Sequence, residues 1–334
     1  TTFVNWNDDE CTDFVGGSSI TISGCNGASS QKLPYSGTYL SVMDWNGDGR
    51  TDLLLNSSGN IAVRLSTGGG MGSMIGTSIP APANPIIIDQ NGDGLDDIAS
   101  VGASSPYALT YRLHNGSGLP PDLASSITDG FGSNVSPIYA SIVDGGALYT
   151  KASNATYPER DIQNAIYVVK QESASDGAGG TSTRSYSYAG AREDIQGRGF
   201  SGFQSVSMTD SRSLAPLVKT YYKTAFPYTG MPYQGDVYQH NGSTLIRRTT
   251  QTPALKTLSS TANQQRYFPY ASNVAIDSYE VSGSKNGLLV MQSASALSLD
   301  NYGNVTSSTT TLTDKDGTAP QSPTYNQPWT TTVA

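Results

Sequence analysis

The segment Asp44-Trp-Asn-Gly-Asp-Gly-Arg-Thr-Asp52 returns as Asp89-Gln-Asn-Gly-Asp-Gly-Leu-Asp-Asp97, and a looser copy opens the chain as Asn5-Trp-Asn-Asp-Asp-Glu-Cys-Thr-Asp13. In the two closer copies, oxygen-bearing side chains fall at positions 1, 3, 5 and 9. Glycines at positions 4 and 6 let the backbone wrap around a small object. Such a donor set suits Ca²⁺, which takes six to eight hard oxygen ligands. Asp44, Asn46, Asp48 and Asp52, with the carbonyl of Arg50 and a water, nearly complete one shell. Asp89, Asn91, Asp93, Asp97 and the carbonyl of Leu95 form a second. Asn5, Asn7, Asp9, the carbonyl of Cys11 and Asp13 form a weaker third, since Asn5 stands where the others have Asp and Glu10 where they have the second glycine. Loops of Asp, Asn and Gly are also ordinary turn chemistry, and the recurrence in register is what points to a metal. Carboxylates converging on one loop repel unless an ion neutralises them, so the ion is expected to fix the loop rather than to do chemistry.

An EF-hand shares the first half of this pattern but requires a bidentate Glu at position 12 and flanking helices. Position 12 is Leu55 in one copy and Ser100 in the other, and the flanks are short apolar runs punctuated by Gly, Asn and Pro. The expected local structure is strand, calcium loop, strand. The copies begin at residues 5, 44 and 89, a period of about 40 to 45 residues that fits a four-stranded propeller blade. On these residues the sequence resembles the FG-GAP or VCBS repeats of calcium-binding β-propellers.

The 334 residues suffice for two domains. Twenty Tyr against seven Phe suits half-buried strands whose rings pack while their hydroxyls reach water. A net charge of −8 with no basic cluster argues against nucleic acid as a partner. No apolar run approaches a membrane span, and no signal peptide is present. The chain starts at Thr1 already inside a repeat and reads as a piece of a longer protein, with the remaining blades of a closed propeller expected upstream. Cys11 and Cys25 could pair or remain two buried thiols, and the sequence leaves both open.

Residues 1–121 are read as incomplete propeller blades in three repeats, residues 122–312 as an antiparallel β domain and residues 313–334 as a polar connector. Leu119-Pro-Pro-Asp-Leu123 marks the first boundary by stiffening the chain and removing donors. Beyond it, alternating segments such as Ile166-Tyr-Val-Val-Lys170, Ser205-Val-Ser-Met208 and Leu217-Val-Lys-Thr-Tyr-Tyr222 predict strands. In Gly197-Arg-Gly-Phe-Ser-Gly-Phe203 three glycines permit positive φ, and Phe200 and Phe203 are expected to anchor the turn in a core. Arg192 and Arg198 with Glu193 and Asp194 are expected to form a local ion network.

This second region resembles the B component of bacterial insecticidal Tc toxins and related Rhs/YD-repeat proteins. The likeness is carried by Thr128-Asp-Gly-Phe-Gly132, by the stretch from Tyr186 to Phe203, by Phe226-Pro-Tyr-Thr-Gly-Met-Pro232 and by Leu299-Asp-Asn-Tyr-Gly-Asn-Val305. It implies an all-β chain: partial propeller blades with Asp-rich calcium loops, followed by an antiparallel region leading into an Rhs-type shell. The long run of YD repeats and the C-terminal protease and toxin portions of that family are missing, so encapsulation and self-cleavage are not assigned to these residues.

The implied role is a non-catalytic scaffold in a secreted or surface-exposed bacterial toxin, with Ca²⁺ as its ion and the rest of its own chain and other toxin-complex subunits as partners. A calcium-dependent adhesin for a receptor or glycan is the alternative. Trp6 and Trp45, at the same position of two repeats, fit packing better than binding. A polysaccharide-cleaving enzyme would need paired carboxylates in a cleft, whereas the acidic residues are largely committed to the loops. His114 and His240, the only histidines, stand in no metal pair or nucleophile elbow, and no Glu-x-Glu pair occurs among the five glutamates. Both histidines are expected at strand ends, His240 before a two-residue Asn241-Gly242 hairpin turn.

Overall fold

A computed structural model describes residues 2–7, 9, 11–24, 30–102, 107–114, 123–175, 179–211, 216–259, 265–318 and 323–333. The regular structure among them is almost wholly antiparallel β, with two single 3-10 turns at Ile142–Asp144 and Gly283–Lys285. Two compact units divide the chain: Thr1–Ala124 with Asn164–Ile166, and Ser125–Gln163 with Tyr167–Ala334. The Pro-Pro segment read as a boundary lies, at residues 119–122, outside the described residues.

The first unit is a succession of small meanders. Strands β1 (Thr2–Val4), β2 (Asp13–Gly16), β3 (Ser19–Ile22) and β4 (Gln31–Pro34) form one four-stranded sheet in chain order. Strands β5 (Thr38–Met43), β6 (Asp52–Ser57), β7 (Asn60–Arg64) and β8 (Ile75–Pro80) form the next. Strands β9 (Pro85–Ile88), β10 (Asp97–Val101) and β11 (Leu109–Arg112) form a three-stranded third. Each acidic loop therefore joins the first and second strands of its sheet, as the pattern predicts.

The middle sheet is buried on both faces, which explains why Asp52-Leu-Leu-Leu55 runs apolar without alternation. Leu53 and Leu55 pack with Val4, Trp6, Val15, Ile20 and Ile22, while Leu54 faces the other way with Met43, Ile61, Val63 and Ile98. All three leucines are fully buried, each such burial contributing about 2 kcal/mol.

The second unit is one long sheet. From β16 (Tyr167–Ser175) it runs as successive hairpins through β17 (Thr181–Asp194), β18 (Gly199–Asp210), β19 (Val218–Lys223), β20 (Met231–Tyr238), β21 (Leu245–Ser259), β22 (Arg266–Tyr279), β23 (Leu289–Leu299), β24 (Val305–Asp314) and β25 (Pro328–Val333). Ahead of β16 the sheet is extended by β13 (Asn134–Ser141) and β12 (Ile127–Thr128). Two short strands, β14 (Tyr149–Thr150) and β15 (Glu159–Asp161), pair with β17. The segment expected as a connector thus supplies a strand, because Trp329-Thr-Thr-Thr-Val333 matches the Thr-rich β24 residue for residue.

Among the described residues, apolar burial in this unit is confined to its first part. Ile142, Leu148, Tyr149, Ile162, Val168 and Ala191 are buried, and the Tyr149 hydroxyl donates to Ile162 O at 2.7 Å while accepting from the Ala191 amide at 3.0 Å. Phe203 joins them through Tyr188, at 4.8 Å between ring centroids. Phe200 does not enter that core as expected: it remains 47% exposed and stands edge-on to Phe203, since strand alternation and the Gly202 kink send it outward. The ion network is wider than the sequence suggests. Arg192, 4% exposed, approaches Glu159 at 3.5 Å and Asp161 at 2.8 Å across the sheet and donates to Asn154, while Arg160 pairs with Glu193 and Arg198 with Asp194. The connection at Asn241-Gly242 is wider than a two-residue turn, since Gln239 N bonds Thr244 O and the Asn241 side chain accepts from Ser243 and Thr244.

Candidate metal centres

The three acidic loops share hydrogen bonds at positions 5 and 9. The position-9 aspartates Asp13, Asp52 and Asp97 are all fully buried. Each accepts from the amide at position 2 of its loop and from the amide that follows the third strand of its sheet. Asp52 holds Trp45 N at 2.9 Å and Ser66 N at 2.7 Å. Asp97 holds Gln90 N at 2.9 Å and His114 N at 2.7 Å. Asp13 holds Trp6 N at 3.0 Å and Ser23 N at 2.7 Å.

At position 1, Asp44 accepts from the amides of Gly47, Asp48 and Gly49, and Asp89 from those of Gly92, Asp93 and Gly94. This nest needs positive φ at both loop glycines, which Gly47, Gly49, Gly92 and Gly94 supply at 70°, 83°, 77° and 81°. At position 5, Asp9, Asp48 and Asp93 each accept from the side chain at position 3 (Asn7, Asn46, Asn91) and from the amide at position 7 (Cys11, Arg50, Leu95). Cys11 is disulfide-bonded, and Cys25 lies outside the described residues.

Several features were not legible in the loops' own pattern. Position 8 links neighbouring repeats: the Asn5 amide donates to Thr51 Oγ1 at 3.2 Å, and the Asp44 amide to Asp96 Oδ2 at 2.9 Å. A polar residue stands there in all three copies, as Thr12, Thr51 and Asp96, which is the signal that could have found it. Position 2 packs forward. Trp6 is fully buried, its indole donates to Gly70 O at 3.0 Å, and its carbonyl accepts from the Ser66 hydroxyl. Trp45 lies against the His114 ring and helps line a cavity of about 160 Å³ with Met43, Ile98 and Leu113. Trp6 is thus a core residue, and the half-buried Trp45 packs against the core. At position 7 the Arg50 guanidinium, considered only for its carbonyl, forms an ion pair with Asp48 at 2.6 Å.

Two observations bear on whether a cation suits these loops. Asn46 Oδ1 and Asn7 Oδ1 are buried with no hydrogen-bond partner, an acceptor state that is costly unless something electropositive meets it. Burial pushes the Asp52 carboxyl up to about 6 against the favourable amide bonds from Ser66 and Trp45, and the negative charges of Asp48 and Asp44 add to the rise. Like charges crowded in this way are what a divalent ion relieves. The donor chemistry fits Ca²⁺, although no cluster of three or more acidic, His or Cys groups converges as a finished shell among the described residues. Much of the carboxylate capacity is spent on backbone amides, and lone pairs beyond those bonds remain for an ion.

Residues 74–230 match the family described as the insecticide toxin TcdB middle/N-terminal region, and residues 44–100 match the FG-GAP-like repeat. Over these residues the chain is similar to the B component of Tc toxins. The chain shares its fold with solved structures at 15% identity: a crystal structure of TcdB2-TccC3 with a TM-score of 0.64 over 93% of the chain, and a Photorhabdus luminescens Tc holotoxin pore with 0.63 over 90%. A TcdB2-TccC3-Cdc42 crystal structure gives 0.62 over 93%. The chain spans 19% of the first of these and 18% of the other two. No curated protein matches it.

Proposed function

We propose that the chain is a non-catalytic scaffold segment of a secreted bacterial Tc/Rhs-type toxin, stiffened by calcium in its propeller loops and covered in use by the rest of its longer protein and by other toxin subunits. The observation that carries this reading is the second unit's lack of an apolar interior. After Ala191 no described hydrophobic residue is buried, and from Val218 onward Thr224 and Asp236 are the only buried residues among those described. A sheet of long strands with both faces half-exposed gains little from burial and needs a covering surface to be stable. An enzyme domain or an independent adhesin would be expected to carry its own core. The burial of Trp6 further removes one of the two aromatic contacts an adhesin reading would use.

In each acidic loop, Ca²⁺ would be held by the side chains at positions 1, 3, 5 and 9 and the carbonyl at position 7, and would supply the positive charge that lets the carboxylates stay close. The protein's own part is already built: buried aspartates fix the loop to its sheet, and position-8 side chains fix one loop to the next.

Hydrogen exchange tests the scaffold reading. Amides of β19 to β25 are expected to exchange fast in the 334-residue chain and to become protected in the longer toxin protein. Protection in the isolated chain equal to that of β6 and β7, together with saturable binding on a glycan array, would overturn it in favour of an adhesin.

A further inference from the structure

The loops Asp44–Asp52 and Asp89–Asp97 share their backbone hydrogen bonds to the carboxylates at positions 1, 5 and 9 but differ at position 3, where Asn91 Oδ1 accepts from the Asp93 amide while Asn46 Oδ1 has no partner, and at position 7. At position 7 the first has Arg50 and the second Leu95, which is buried and apolar. The Arg50 guanidinium reaches Asp48 Oδ2 at 2.6 Å, while its Nε is buried without a hydrogen-bond partner. In the second loop the equivalent Asp93 Oδ2 receives the Asn91 side chain, and no cationic group stands within ion-pair distance of it among the described residues. Charge follows the same division. Residues 44–52 carry three aspartates and one arginine, and residues 89–97 carry four aspartates and no basic residue, a net of −2 against −4.

A guanidinium bound to one of the ligand carboxylates does part of what a calcium ion would do: it neutralises Asp48 and occupies one of its oxygens. Binding a divalent ion there must displace that contact or bear the repulsion of a fixed positive charge nearby. In the second loop the ligand oxygens meet only neutral groups, the Asn91 amide and backbone N–H groups, and no cation has to be displaced. We propose that Arg50 is a tethered competitor for the cation of its own loop, so that Asp89–Asp97 takes calcium tightly while Asp44–Asp52 takes it weakly and stays ordered without it. This inference rests on the calcium reading above and adds to it an order of filling.

The test is calorimetric titration of CaCl2 into the chelator-stripped 334-residue chain, with thermal melts in chelator alongside. The wild type should show two classes of site, the tighter abolished by Asp93→Asn. In the Asp93→Asn background, Arg50→Leu should tighten the remaining site about five-fold, the size expected from removing one partly exposed charge pair to a ligand carboxylate. Arg50→Leu should also lower the melting temperature in chelator, because the surrogate cation is gone. Should the leucine variant fail to fold, Arg50→Gln carries the same expectation with a polar side chain. An unchanged or weakened affinity after removing Arg50, within about two-fold, would overturn the competitor role while leaving calcium binding intact. Absence of calcium binding in the wild type would sink the calcium reading and this inference together.

Discussion

Replacing Asp52 by alanine removes the acceptor for two backbone amides at once, Trp45 N and Ser66 N, in a site with no water-exposed surface on the carboxylate. An unsatisfied buried donor costs about 1–3 kcal/mol, so two cost about 2–6 kcal/mol before any cavity is counted. For a domain of this size each kcal/mol is worth roughly 4 °C, and the melting temperature of the first unit should fall by at least about 8 °C. Trp6 in the buried core and the half-buried Trp45 packed against it report the unit's unfolding by fluorescence. The melt is run in chelator, which removes any contribution from a bound ion. Asp52→Asn should fall between, since its amide keeps one acceptor oxygen and turns an N–H toward the other donor. The pH dependence has a definite sign. The folded carboxyl titrates near 6 against an ordinary value of 3.8, so the folded state binds more protons between those values. Metal-free wild type should therefore gain stability as pH falls from about 6 toward 4 through this group, and Asp52→Ala should lose that gain. A variant that melts within about 1 °C of wild type would show that the buried aspartate does not hold the loop to its sheet.

The second unit yields two further outcomes. Asp236, 1% exposed, would be raised by burial alone, but the paired bonds from Arg248 at 2.7 and 2.9 Å, with Gln234 and Tyr238, hold it below its ordinary value. Its contribution is present above pH 3.8 and lost as pH falls through the depressed value; Asp236→Asn should lower urea stability at pH 7 and flatten the loss on acidification. Arg192→Met leaves Glu159 and Asp161 facing each other in a buried site, and should destabilise by about 3–5 kcal/mol. A double variant that also makes Asp161 asparagine should recover part of that loss in the same denaturation assay.

The repeat pattern made the first unit legible to the level of which strands each loop joins. Positions 1, 5 and 9 were recognised as oxygens that belong together, because glycine spacing and carboxylate spacing are local properties of the chain. What stayed hidden is the use of those oxygens across distance. Asp52 reaches Ser66 fourteen residues on, and Asp96 reaches the amide of Asp44 in another repeat; neither can be read from a nine-residue window. Phe200 misled because a large aromatic beside glycine turns suggests an anchor, whereas strand alternation from Ser201 decided which ring went inside. The final strand was missed because Thr-rich, Pro-containing sequence carries no apolar alternation, and β25 is placed by pairing with β24 while all its residues stay exposed.

Whether these loops bind calcium and stiffen the chain is decided by thermal melts in calcium, in magnesium and in chelator, alongside metal analysis of the purified protein. Ligand that binds the folded state must raise its stability as concentration rises. A calcium-specific rise is expected in the melting transition reported by Trp6 and Trp45, with about two ions bound per chain, one for each of the two closer loops. An unchanged melt with no bound metal would contradict it, reducing the loops to hydrogen-bonded turns.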